Sequence, residues 1–165
     1  MTPEKAFDEY HQAVYSFAYR LTLREDIAED ITQECFLAVI RDPQRFDEAR
    51  GTMKTYLFSI ARNLALKQYR DHRLESPADG APAAVTDPRT SMELSSAVAE
   101  AVNALPLLQQ EALILFEYEG AALEEIAGIV GADVGTVKSR LHRARNGLRR
   151  MLAPYRKAES THGTA

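Results

Sequence analysis

The sequence predicts an all-α chain of two small helical domains joined by a flexible linker. Three observations carry this. Alanine, leucine, glutamate and arginine dominate a 165-residue chain with no tryptophan and only eight glycines, and these dominant residues lose little freedom in a helix. Apolar residues recur at three- and four-residue spacing through both halves. Between the halves, Ser76 to Thr90 holds three prolines, a glycine and a single large apolar residue, a stretch that cannot build a core.

In the first half, Phe7, Tyr10, Val14, Phe17, Ala18 and Leu21 stripe one helix. A second runs from Asp26 to Arg41, with Ile27, Ile31, Cys35, Ala38 and Val39 inward and Asp26, Asp30 and Glu34 on an acidic face. Asp42-Pro43 ends it, because proline pushes the residue before it out of the α region. Gly51 marks a break, and Thr52 to His72 forms a third helix carrying Tyr56, Leu57, Ile60 and Leu64 among basic residues. The second half resumes near Met92. Leu94, Val98 and Val102 stripe a helix that Leu105-Pro106 stops, and the next runs to about Tyr118, with Gly120 as its stop. The expected divisions are therefore residues 1–75, a linker at 76–92, a second domain at 93–153 and a disordered tail at 154–165.

A net charge of −4 conceals a segregation. From Arg50 to Arg73 the bases Arg50, Lys54, Arg62, Lys67, Arg70 and Arg73 face one acid, Asp71. From Leu94 to Val130 six acids and no base occur, and from Gly131 to Lys157 eight bases face only Asp133. Two basic islands in an acidic chain fit the binding of a polyanion at two places.

The other function classes find little support. No run approaches the roughly 20 apolar residues of a membrane span, and Met1-Thr2-Pro3-Glu4-Lys5 does not open a secretory signal, so no membrane insertion is expected. The lone cysteine, Cys35, fits a reducing cytoplasm and sits in an apolar pattern as a core residue. His11, His72, His142 and His162 are scattered and no phosphate-binding loop occurs, so neither catalytic residues, nor a metal, nor a cofactor is expected.

Leu123 to Val130, the turn Gly131-Ala132-Asp133-Val134-Gly135 and the basic helix Thr136 to Leu152 have the parts of a helix-turn-helix. Ala127 supplies a small contact, Gly131 a positive φ, and Val137 the plug between the two helices. Along the last helix Val137, Leu141, Ala144 and Leu148 form the inward stripe. Ser139, Arg143, Asn146 and Arg150 point opposite, with His142 beside them and Lys138 and Arg140 flanking. Bases near a helix start oppose its macrodipole, which suits a helix end that meets phosphate, and Thr136 is placed for a backbone phosphate.

Leu105-Pro106 through Gly120, Glu124-Glu125-Ile126-Ala127, and the run from Gly135 to Arg145 (Gly-Thr-Val-Lys-Ser-Arg-Leu-His-Arg-Ala-Arg) resemble region 4 of bacterial sigma factors of the extracytoplasmic-function group. Glu29 to Phe36, Arg45-Phe46-Asp47 with Gly51, and Tyr56 to Ala65 resemble region 2 of the same family. The resemblance covers roughly residues 7–75 and 94–152 in family order. It implies a factor that binds core RNA polymerase and directs it to minus-35 and minus-10 promoter elements in the cytoplasm, without enzymatic activity of its own.

Carried over by position, the resemblance gives Asp30, Gln33 and Glu34 to the clamp helices of the polymerase largest subunit, with the flap as a further polymerase contact. It gives Phe46, Tyr56, Arg62, Asn63, Lys67 and Arg70 to melted minus-10 DNA. Thr136, Lys138, Ser139, Arg140, His142, Arg143 and Arg145 go to the minus-35 element. An anti-sigma factor is an implied partner. The sequence departs from the family pattern at Tyr56, where tryptophan is usual, at Gln110 and Glu117, where bases are common, and at Ala121-Ala122, a poor helix cap. The rival reading, a stand-alone helix-turn-helix regulator with a sensing or dimerising first half, does not account for the Asp30-Gln33-Glu34 and Tyr56-to-Ala65 matches.

Overall fold

The computed structural model describes residues 1–75 and 92–155. Its elements are α1 (Pro3–Thr22), α2 (Glu25–Arg41), a 3-10 turn (Pro43–Arg45), α3 (Met53–Glu75), α4 (Met92–Ala104), α5 (Leu107–Leu113) continuing into a π-helical turn (Ile114–Tyr118), α6 (Leu123–Val130) and α7 (Val134–Met151). No strand occurs among the described residues. The expected linker lies outside them apart from Met92, which already begins α4. Pro154 and Tyr155, the first residues of the expected tail, lie in a helical turn in which the Tyr155 N–H donates to the Leu152 carbonyl at 3.1 Å. The rest of the tail is outside the described residues.

Local chemistry sets the helix ends. The Thr2 hydroxyl accepts from the Lys5 N–H at 3.3 Å, and Pro3 occupies the first helical position, where its missing N–H costs nothing. Asp42 ends α2 immediately before Pro43, as proline requires. Asp133 caps α7, its carboxylate accepting from the Thr136 N–H at 2.7 Å. That bond holds the Asp133 carboxyl below the usual carboxylate range.

α1, α2 and α3 bury one stripe each against the others. Val14, Phe17 and Ala18 meet Ile31, Cys35 and Val39, with Leu57, Phe58 and Ala61 closing the core. Phe17 and Phe58 stack with centroids 5.0 Å apart. Burial of each large side chain stabilises by about 1.5–3 kcal/mol. Cys35 has no exposed surface, and desolvation pushes its thiol up to about 12, which makes it a packing residue. Phe7 departs from the expected stripe. Ala6 takes the inward place, and Phe7 stays half-exposed, stacked on His11 and edge-on to Phe36.

In the second half Leu113, Ile114 and Leu115 pack with Ile126, Ile129, Val137, Leu141 and Ala144. Gly147 permits the close approach of α7 to the α4–α5 corner, since a Cβ there would lie 2.9 Å from Leu105 Cδ2. The halves also touch: α3 packs on α6, and α1 reaches the π-helical turn.

The α6–α7 turn makes opposite demands on its two glycines. Gly131 closes α6 at φ +67°, whereas Gly135 lies inside α7, where a Cβ would meet only the Asp133 carboxylate at 3.5 Å. Gly131→Ala is expected to lower stability by about 1–2 kcal/mol through left-handed strain. Gly135→Ala is expected to raise it by about 0.5–1 kcal/mol. Urea unfolding of the two variants checks the pair of signs.

Candidate nucleic-acid and polymerase interfaces

The α7 helix divides its residues between two tasks. Val137, Leu141 and Ala144 are buried against α5 and α6, with Leu148 partly so and Gly147 buried beside them. This fixes the rotation of the helix, so Lys138, Ser139, His142, Arg143 and Arg145 stand exposed. Thr136 is half-buried, with its backbone N–H committed to the Asp133 cap. His142 and Asn146 hydrogen-bond through Nε2 and Nδ2 at 3.2 Å.

Two of the residues expected on DNA have protein contacts as well. Arg140 is half-buried, with Nη1 enclosed and without a hydrogen-bond partner among the described residues. Arg145 lies over the Phe116 ring at 5.2 Å and pairs with Glu117 at 3.5 Å, a solvent-exposed contact of small energetic weight. Arg143 has no such anchor among the described residues, and it rims an open groove of about 770 Å³ that Leu105, Pro106 and Met151 help to line.

On α2 the inward residues Ile31, Cys35 and Val39 leave Asp30 and Glu34 exposed, as the spacing predicts, and Gln33 is exposed beside them. The nearest cation to Glu34 is Arg41 at 3.9 Å, itself exposed. The side chains of Leu37 and Ile40 extend the same outward surface, adding apolar area to an acidic face.

The third expected site is split. Phe46, half-buried after the 3-10 turn, lies 5.4 Å from Tyr56 at a tilt of 45°, so Tyr56 props the loop although it is smaller than tryptophan. Asn63, Lys67 and Arg70 project from α3 into solvent. Arg62 does not. Its Nε and Nη2 donate to the two carboxylate oxygens of Glu111 at 2.8 and 2.9 Å, with the Arg62 side chain 14% exposed and Glu111 0%. In this arrangement the guanidinium expected to follow single-stranded DNA is instead committed to the second half of the chain.

Two functional residues escaped the sequence reading. The turn reading of Asp133 omits its cap, although an aspartate three residues before Thr136 is a capping signal. Glu111 was one of several acids. Its position directly before the apolar run Ala112 to Leu115 marks it as a carboxylate carried inward, which demands a partner.

No described helix is long and apolar enough to cross a membrane. Residues 6–75 match the family described as Sigma-70 region 2, and residues 95–148 match Sigma-70, region 4. The ECF RNA polymerase sigma factor EcfG of Rhodopseudomonas palustris is 36% identical over 141 residues, 83% of this chain and 77% of that protein. SigE of Mycolicibacterium smegmatis, also an ECF RNA polymerase sigma factor, is 35% identical over 156 residues, 89% of this chain but only 60% of its own length. The sigma factor RpoE of Bartonella quintana, solved in complex with the anti-sigma factor NepR, superposes with a TM-score of 0.75 at 31% identity, covering 91% of this chain and 96% of that one. With both regions matched in order, the chain belongs to the sigma-70 family as an RNA polymerase sigma factor of the extracytoplasmic-function group.

Proposed function

We propose that this chain acts through three separate surfaces. The acidic face of α2 binds the clamp helices of core RNA polymerase, while the flap engages the second half. The outward face of α7 reads the minus-35 element. Phe46, Tyr56, Asn63, Lys67 and Arg70 engage melted minus-10 DNA, joined by Arg62 once Glu111 releases it. The observation that carries the reading is the fixed rotation of α7, whose buried stripe leaves Arg143 and its basic neighbours facing outward.

The physical roles follow from the side chains. Arg143 has the fork geometry that pairs with a guanine edge in the major groove. Lys138 and Arg145 supply charge to phosphates, which fixes register and strengthens binding without selecting sequence. Phe46 and Tyr56 offer the aromatic wall that an extruded base needs, and Lys67 and Arg70 neutralise the strand beside it. An anti-sigma factor is a proposed partner, supported by the NepR complex of the related RpoE.

The polymerase surface is tested by changing Asp30 and Glu34 together to alanine. Both residues are exposed, so thermal stability should stay within about 1 kcal/mol, while affinity for core polymerase falls at least about tenfold, as expected on loss of charge complementarity. An unfolded variant would make the acidic face structural.

The promoter surface is tested with Arg143→Ala and Arg145→Ala, compared across promoter variants and salt concentrations. Arg143→Ala should cost about 1–3 kcal/mol and flatten preference at one promoter position. Arg145→Ala should weaken all sequences alike and reduce the salt slope by about one. Uniform weakening by Arg143→Ala would remove it as a base reader.

A further inference from the structure

We propose that Asn146 and Arg149 hold the His142 ring in one tautomer, protonated on Nδ1, so that His142 reads a hydrogen-bond acceptor in the minus-35 element and rejects cytosine. The inference rests on the assignment of α7 to minus-35 DNA made above.

The chain of bonds has only one consistent direction. A guanidinium can only donate, and Nη1 of Arg149 lies 3.5 Å from Oδ1 of Asn146. The Asn146 amide therefore turns its oxygen to Arg149 and its nitrogen to His142, where Nδ2 donates to Nε2 at 3.2 Å. An Nε2 that accepts carries no proton, so the neutral ring carries its proton on Nδ1. Histidine free in water favours the opposite tautomer, protonated on Nε2, and the network reverses that preference. Among the described residues the bond to Asn146 is the one His142 makes through its ring, so the Nδ1–H is left for a ligand.

The placement suits a base reader. At 100° per residue, Asn146 lies almost opposite the buried stripe of Val137, Leu141, Ala144 and Leu148. His142 and Arg143 straddle that line, each about 50° from it, and both are exposed. Lys138 and Arg145 stand further round, where phosphates are reached. The N7 atoms of guanine and adenine, guanine O6 and thymine O4 all accept on the major-groove edge, whereas cytosine offers only its N4 amino donor. A lone N–H donor thus separates cytosine from the other three bases, while the fork of Arg143 asks for the paired acceptors of guanine. Holding the ring before DNA arrives also lowers the side-chain entropy lost on binding.

The test joins a spectrum to a selection, both on the full-length chain. With isotope-labelled histidine nitrogens at about pH 8, where imidazole is neutral, the His142 signals are identified by their loss in His142→Ala. They should report a protonated Nδ1 and a bare Nε2. Asn146→Ala and Arg149→Met, each with a wild-type melting transition, should return the ring toward Nε2 protonation. Arg149→Lys, still a donor, should keep the wild-type pattern. Holoenzyme assembled with core polymerase is then used to select from duplexes randomised over the upstream element. The wild type should disfavour cytosine at one position of one strand by at least about fivefold, the lower end of a lost base contact. His142→Ala and Asn146→Ala should bring that factor below about twofold and leave the position read by Arg143 unchanged. A wild-type ring protonated on Nε2 would overturn the proposal, as would unchanged base preferences in either alanine variant. If the wild-type holoenzyme selected no upstream element at all, the assignment of α7 to minus-35 DNA would fall, and the reading by His142 with it.

Discussion

A carboxylate with no exposed surface constrains everything around it. Glu111 sits in α5 between residues that pack the second-half core, so its side chain is carried inward with them. Removing such a group from water costs several kcal/mol, and the two hydrogen bonds from Arg62 offset that cost. The guanidinium belongs to α3, so satisfying one buried acid joins the two halves of the chain. The segregation of charge along the sequence acquires a second meaning here. The first basic island is complementary to nucleic acid, and it is equally complementary to the six-acid stretch that follows it.

The same economy explains the departures from the family pattern. Gln110 is buried and donates through Nε2 to the Asn103 side chain at 3.3 Å. Glu117 pairs with Arg145 at 3.5 Å. Positions where bases are common in the family here serve contacts within the protein. Ala122 caps α6 without a side-chain bond, and Glu124 and Glu125 in the first turn favour the dipole instead. Buried Ile126, Ile129 and Val130 then hold the helix by packing.

What could be read from the sequence was local. Helical periodicity located α1 to α7 to within a residue or two at most ends, the helix-turn-helix with its Gly131 and Val137, and Cys35 as a core residue. The outward placement of Asp30, Glu34 and Arg143 followed from the same 100° rule, while Gln33 came from the family resemblance alone. Contacts without a sequence period were missed. Nothing in the order of residues ties position 62 to position 111, so the sequence does not signal the Arg62–Glu111 pair. The π-helical turn at Ile114–Tyr118 is another case. There the Glu119 N–H reaches back to the Ile114 carbonyl at 3.1 Å, a widening that apolar spacing does not signal. Phe7 shows the limit of periodicity itself: Ala6 is the buried residue, while the Phe7 ring rests on the surface against His11 and Phe36.

The central claim is that this chain recognises a promoter as part of the polymerase and not alone. Footprinting a promoter with the chain by itself, with core polymerase by itself and with the two combined tests it most directly. The account predicts protection only with the combination, over two patches about 25 base pairs apart, about 85 Å along the duplex. Equal protection by the chain alone would contradict the account and identify a stand-alone DNA-binding regulator.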